Sequence, residues 1–175
     1  MAISIRGVGK KAAEVPLSLE AAREYFKDVP SFLRKIDMVE TVKELGRPGA
    51  YIVIHKTVGA LNFQATSAYA IQVEHTETGM TFLPLDFDVA QLKSPHLVVK
   101  GFVEGSLVLE PRGDQLVATN LTFVHTADIE QTGPLSFMPA ALIKSTADGL
   151  MDMIIGVTID SMWKKVQADL PSARG

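Results

Sequence analysis

The chain has 175 residues, 47% of them hydrophobic, with 17 Lys and Arg against 20 Asp and Glu, a formal charge of -3 and no cysteine. That length suits one domain spanning 1–175 with a substantial core, and no Pro/Gly/Ser-rich linker divides it. The acidic balance, with no basic cluster longer than Lys10-Lys11 or Lys164-Lys165, argues against nucleic acid as a partner, and the lack of cysteine excludes disulfides, thiolate metal sites and a cysteine nucleophile together.

Ala2 to Val15 is expected as a first strand. Met1 to Lys11 has no apolar core of about seven residues ahead of its basic residues, so no secretory signal is read there and the expected address is cytoplasmic. Gly7-Val8-Gly9 lies within the strand and lacks both the third glycine and the following helix of a dinucleotide fingerprint. After Pro16-Leu17, Ser18 is the N-cap of a helix from Leu19 to Phe26. Asp28-Val29-Pro30 breaks that helix, and Ser31 to Lys35 is a second short helical turn, with Phe32, Leu33 and Ile36 available to pack under a sheet. Val39 to Leu45 and Tyr51 to Val58 then read as hairpin strands about the turn Gly46-Arg47-Pro48-Gly49.

Alternation is clearest from Phe63 to Val73. Phe63, Ala65, Ser67, Tyr69, Ile71 and Val73 share one face, while Asn62, Gln64, Thr66, Ala68, Ala70 and Gln72 share the other, the mark of a half-buried strand. A loop at Glu77-Thr78-Gly79 leads to a strand from Met80 to Phe87, and an irregular stretch from Asp88 to Pro95 leads to a long strand from His96 to Glu110. Its inward set is Leu97, Val99, Gly101, Val103, Gly105, Leu107 and Leu109. Glycine inside a strand marks first a bend or bulge and second room for a ligand near the backbone. Pro111 to Asp114 makes the next turn, which accounts for the adhesion-like tripeptide Arg112-Gly113-Asp114, and Gln115 to Ile129 is the last strand.

One long helical pattern closes the chain, from Pro134 to about Leu170, with Pro139 near its start and Gly149 and Gly156 in its middle. Leu150, Met153, Ile154 and Val157 form one apolar face, and Met151, Ile155, Ile159 and Met162 form a neighbouring stripe. This arc is wider than one sheet surface needs. Core packing explains it first, a cavity lining second and a homodimer contact third; Met138, Met151, Met153 and Met162, adaptable in shape, stand in this segment beside Trp163. Lys144, Asp148 and Asp152 are four apart and read as a surface charge row. No run of about eighteen apolar residues occurs, so no integral membrane segment is expected.

The entry Val15-Pro16-Leu17-Ser18-Leu19-Glu20-Ala21-Ala22, the kink Phe26-Lys27-Asp28-Val29-Pro30-Ser31-Phe32-Leu33, the hairpin Gly105 to Asn120 and the closing helix together resemble the helix-grip fold of the START and birch-pollen-allergen superfamily, also called SRPBCC or polyketide cyclase/dehydrase-like. The order of elements covers nearly the whole chain and looks closest to bacterial branches of that superfamily. The resemblance implies an α+β fold: a curved antiparallel sheet of about six or seven strands gripping one long C-terminal helix, with two short helices after the first strand. It also implies a hydrophobic cavity for a lipid, sterol, quinone or polyketide-like molecule. Some relatives are cyclases or dehydratases and many only bind; no superfamily-wide catalytic motif exists, so no catalytic residue is carried over.

The four histidines, His55, His75, His96 and His125, show no metal-ligand spacing. His75 continues the inward set after Val73, and His125 follows Leu121 and Phe123 on an apolar face, which makes both candidates for ligand contact or acid-base work. Solvation at strand ends is the alternative. Asp86 and Asp88 could face one side and hold a hard cation, against simple loop solvation. No serine elbow or phosphate-cradling loop appears, and no cofactor or metal is expected.

The candidate ligand-lining residues on the strands are thus Tyr69, Ile71, Val73, His75, Val103, Phe123 and His125. Those on the closing segment are Met138, Leu150, Met153 and Val157. A carrier or sensor of a small apolar molecule is the leading reading, because no convergent acid-base set appears. The alternatives are a cyclase or dehydratase-like enzyme, using His75, His125 or Tyr69, and an interaction module whose cavity is filled and whose second helix stripe forms a homodimer.

Overall fold

The fold is α+β: one curved open sheet wraps a long C-terminal helix, and two short helices follow the first strand. The computed structural model describes residues 2–60, 63–131 and 136–171. The expected placement of Asn62, the facing of the Phe63 side chain and the expected helix start at Pro134 lie outside the described residues. In chain order the elements are β1 (Ala2–Val15), α1 (Leu19–Lys27), α2 (Val29–Leu33), β2 (Val39–Glu44), β3 (Ala50–His55), β4 (Val58–Ala60), β5 (Phe63–Thr76), β6 (Gly79–Leu85), β7 (Leu97–Gly113), β8 (Leu116–Glu130) and α3 (Ala140–Asp169). The strands lie in the order β1-β8-β7-β6-β5-β3-β2, with β4 paired to β5.

Local chemistry sets the element ends. Ser18 accepts a hydrogen bond from the Ala21 N–H at 3.2 Å and starts α1, and Asp28 accepts from Ser31 N–H at 3.1 Å and starts α2. Pro30 therefore sits in the first turn of α2, where its missing N–H has no helical partner to lose, and the helix begins before Ser31. The strand expected to run to Val58 stops at His55. There the Lys56 N–H bonds to Met38 O at 2.7 Å, the Thr57 hydroxyl meets that of Thr66 at 2.7 Å, and the chain continues as β4. At the other end of the chain α3 begins after Pro139, which is extended and serves as its N-cap; a residue before proline resists the helical conformation.

Most neighbours in the sheet are antiparallel, but β6 is shorter than the strands beside it. Before Ala70 the first half of β5 therefore pairs directly with β7, in parallel, from Ala65↔Leu97 to Tyr69↔Gly101. Leu97, expected to face inward, is exposed at the start of β7.

The helix α3 runs closest to the edge strand β1. Two features of β1 fix this. Gly7 and Gly9 leave the inner face bare: a Cβ at Gly7 would stand 2.7 Å from Ile155 Cδ1, and one at Gly9 would stand 2.3 Å from Ile159 Cδ1. The backbone of β1, with no further strand beyond it among the described residues, then bonds to the helix side chains instead. Asp148 accepts from Arg6 N–H at 2.8 Å, Asp152 from Val8 N–H at 2.7 Å, and Lys144 donates to Ser4 O at 2.8 Å. The i, i+4 row expected as a surface charge pattern is thus a clasp for the sheet edge. The Arg6 N–H, followed by Lys144, holds the Asp148 carboxyl below the usual carboxylate range.

Two hydrophobic clusters hold sheet and helix together. The larger joins α1, α2 and the sheet to Ile159, Met162, Trp163 and Val166 of α3, with Phe26 stacked on Trp163 at 6.1 Å between ring centres. The smaller gathers Ile3, Ile5, Ala127 and Ile143 near the start of α3. Among the described residues, no helix is long and apolar enough to cross a membrane.

Candidate ligand-binding site

A cavity of about 360 Å³ lies between sheet and helix, and both hydrophobic clusters contribute to its walls. Met151, Ile154, Ile155, Thr158 and Ile159 of α3 form one wall, and Ile36 and Met38 also contribute to the lining. The sheet supplies the other wall: Val99 and Val103 from β7, Phe123 and His125 from β8, Ala65 to Ser67 and Tyr69 from β5, and His55 from β3. Nearly all of this lining is hydrocarbon, and apart from Thr158 on α3 its polar side chains come from the sheet side.

Those polar groups come from β3, β5 and β8, with β7 between the last two. The Tyr69 ring lies edge-on between His55, at 5.5 Å between ring centres, and His125, at 5.8 Å. His55 Nδ1 is hydrogen bonded to the Ser67 hydroxyl. His125 Nε2 is enclosed and has no hydrogen-bond partner among the described residues. Burial pushes both imidazoles down to about 4, with the neighbouring His125 adding to the effect on His55, and burial raises the Tyr69 hydroxyl above its ordinary value. At neutral pH all three rings are therefore uncharged.

The glycine pair of β7 has two different causes. A Cβ at Gly101 would stand 2.2 Å from His125 Nε2, so the bare position gives the imidazole its place against the sheet. A Cβ at Gly105 would stand 2.1 Å from the Thr122 carbonyl oxygen, so there the strand β8 itself comes close. Neither position is a bulge, because the β7–β8 register is continuous through both.

Of the candidates read from the sequence, Tyr69, Val103, Phe123 and His125 line the cavity together. Ile71 and Val73 point into the larger cluster further along β5. His75 is a correction: at the far end of β5 it is exposed beside a small separate cleft with Arg23 and Lys27, since the strand has run beyond the cavity by that point. Met138, Leu150, Met153 and Val157 are also corrected, being exposed at 39%, 49%, 58% and 66%. The second helix stripe, Met151, Ile155, Ile159 and Met162, which one reading used to pair two copies, faces the sheet, and of the first stripe Ile154 reaches the cavity wall. Two adjacent stripes of equal apolarity leave the choice of face open; the rotation is set by Asp148, Asp152 and the bare Gly7 and Gly9. Sequence reading missed His55 as part of the site, although Tyr51, Val53 and His55 alternate onto the same face of β3.

Asp86 and Asp88 do not make a cation site. Asp86 pairs with Lys100, which also donates to Phe87 O at 2.7 Å, and Asp88 caps a single helical turn by accepting from Ala90 N–H at 2.9 Å. Among the described residues no cluster of three metal-ligating side chains occurs.

No family model matches the chain, and no curated protein matches it in sequence. Solved structures do. The chain is similar to the Zhui aromatase/cyclase from Streptomyces sp. R1128, at 11% identity and a TM-score of 0.58, covering 97% of this chain and 99% of that one. It is similar to a START superfamily protein from Mycobacterium smegmatis, at 13% identity and a TM-score of 0.58, covering 93% and 96%. It is also similar to the protein TTHA0849 from Thermus thermophilus, at 17% identity and a TM-score of 0.55, covering 93% and 98%. At these identities the likeness is one of fold. The protein has the START-like helix-grip fold.

Proposed function

We propose that the protein binds a small hydrophobic molecule, of lipid, quinone, sterol or polyketide-like chemistry, in the cavity between the sheet and α3, as a cytoplasmic carrier or sensor. The observation that carries this reading is the cavity of about 360 Å³ left between two well-packed clusters. Small-molecule sites typically measure about 300–1,000 Å³, so the space suits a compact guest. A water-filled volume lined by so much hydrocarbon is unfavourable, and an apolar guest removes that surface from water. The lack of cysteine supports a reducing compartment. Native mass spectrometry with organic extraction, on protein purified from its own cells, tests the reading: a co-purified apolar mass supports it, and an empty protein that ignores a panel of apolar probes sinks it.

A second reading is a cyclase or dehydratase-like enzyme, favoured by the meeting of His55, Tyr69 and His125 in one cavity. A neutral imidazole is a competent general base, while the described lining holds no carboxylate to orient it. Under this reading His125→Ala abolishes turnover of a bound substrate with little change in its affinity, and equal loss of both sinks the catalytic role.

A further inference from the structure

The stripe of α3 that turns away from the sheet carries no charge for about four turns. Leu142, Leu150, Met153 and Val157 are about half exposed or more, and Thr146 and Gly149 are exposed between them. Helical spacing puts these six positions on one side, opposite Met151 and Ile155. The charges of this part of the helix lie elsewhere, since Lys144, Asp148 and Asp152 are turned to β1 and bonded to its backbone.

Nothing within one copy accounts for the glycine in this stripe. A Cβ at Gly149 would meet no atom within 4 Å, and its backbone is helical. An exposed glycine weakens a helix relative to ordinary side chains, and what it leaves here is a gap that a side chain from outside can fill.

The stripe supplies its own filler. When a second α3 lies antiparallel across the first, about a two-fold axis between Gly149 and Leu150, Gly149 faces the second copy's Leu150. Thr146 then faces Met153 and Leu142 faces Val157, each pair twice by symmetry. Short side chains meet long ones at the centre, and branched apolar ones meet at the ends. With Ile154 beside it, the face leaves on the order of 500 Å² on each copy, so a pair covers on the order of 1,000 Å², about where a specific interface begins. An anionic lipid surface suits the face less, because its rim has no surplus of cations: Lys144 is paired with Asp148, and beyond Val157 Lys164 lies near Asp160.

We propose that two copies of this chain pair antiparallel through the outer stripe of α3, with Leu150 of each seated at Gly149 of the other. Ile154 belongs both to this face and to the cavity wall, so the contact of each copy abuts its own cavity.

Sedimentation velocity of the full chain, from about 1 to about 200 μM, tests the pairing, for a contact of this size is expected to hold in the micromolar range. The mean mass should rise from one copy toward two. In Met153→Glu, an exposed position, the dissociation constant should rise at least about tenfold while the urea midpoint of the dilute protein stays put. Gly149→Leu separates a fitted contact from mere stickiness: it adds apolar surface and helix propensity but fills the gap, so weaker association is expected, and stronger association overturns the proposal. Oxidative cross-linking reads the geometry in a chain that has no cysteine of its own. The double variant Thr146→Cys, Met153→Cys, whose thiols are about 10 Å apart within one helix, should link two copies, while Val157→Cys, about 22 Å along the axis from its counterpart, should not. The opposite pattern overturns the antiparallel pairing. A chain that stays monomeric to the highest concentration overturns the proposal outright, and its flotation with phosphatidylcholine vesicles would then assign the face to lipid.

Discussion

The imidazole of His125 lies against Gly101 of the adjacent strand, at a spot where a Cβ would come within 2.2 Å of Nε2. The missing side chain on β7 is what lets a polar ring lie on the sheet wall instead of standing in the cavity. In Gly101→Ala the obstructing atom is the far end of a side chain that can turn away, so folding is expected to cost about 1 kcal/mol, with the ring displaced into the cavity and apolar probes bound more weakly. In Gly105→Ala the obstruction is the Thr122 carbonyl, which cannot turn, and a loss nearer about 3 kcal/mol is expected. Urea unfolding and probe titration of the two variants check the contrast; equal effects would show that Gly101 has no special relation to His125.

The rotation of α3 makes a second prediction. Ile159 is buried against Gly9, while Val157, two residues earlier, is 66% exposed. Ile159→Ala is expected to cost about 2–5 kcal/mol and Val157→Ala less than about 0.5 kcal/mol, both read from denaturant midpoints at constant slope. The reverse order would mean that the helix presents its other stripe to the sheet.

Acid should weaken the fold through the two enclosed histidines. The folded chain holds His55 and His125 neutral down to about 4, whereas an unfolded chain takes up the same protons near 6.5. Between those values the unfolded state binds more protons, so stability is full above about pH 6.5 and falls as pH drops toward about 4. Asp37, Asp160 and Asp169, which their partners hold below the usual carboxylate range, weaken the fold only at still lower pH. Urea midpoints measured across this window should decline in the natural chain and flatten in the double variant His55→Gln, His125→Gln. A natural chain with no decline would mean that water reaches both rings.

The clasp on β1 is testable without perturbing the core. Removing the acceptors in Asp148→Ala and Asp152→Ala should speed hydrogen exchange at the Arg6 and Val8 amides, which lose their bonds to those carboxylates, and leave the β8-paired amides of β1 largely as they were. Unchanged exchange at Val8 in Asp152→Ala would show that the hydrogen bond protects nothing.

Much of this arrangement was legible in the residues. The strict alternation through Tyr69, Ile71 and Val73 announced β5, Ser18 announced α1, and the resemblance in element order supplied the sheet and its gripped helix. The lining of the cavity was half legible. Tyr69, Val103, Phe123 and His125 were found because strand alternation names a face, and a sheet has only two. The helix contacts were not, because Leu150 and Met151 are equally apolar and the choice between their stripes rests on Asp152 meeting Val8, a contact spanning 144 positions of sequence. The stop of β3 at His55 was hidden for a similar reason: it depends on Lys56 bonding to Met38 rather than on any turn residue.

The pairing of β1 with β8 begins at Ala2↔Glu130 and runs to Val15↔Val117, so the first strand of the chain finds its partner only when the last is available. A ribosome must therefore release the chain through Glu130 before the sheet can be completed, and through Asp169 before α3 is laid across it. Until then the inner residues of β1 have nothing to cover them. Such distant pairing favours slow folding, on the order of milliseconds to seconds, and leaves the newborn chain dependent on whatever shields its unfinished sheet.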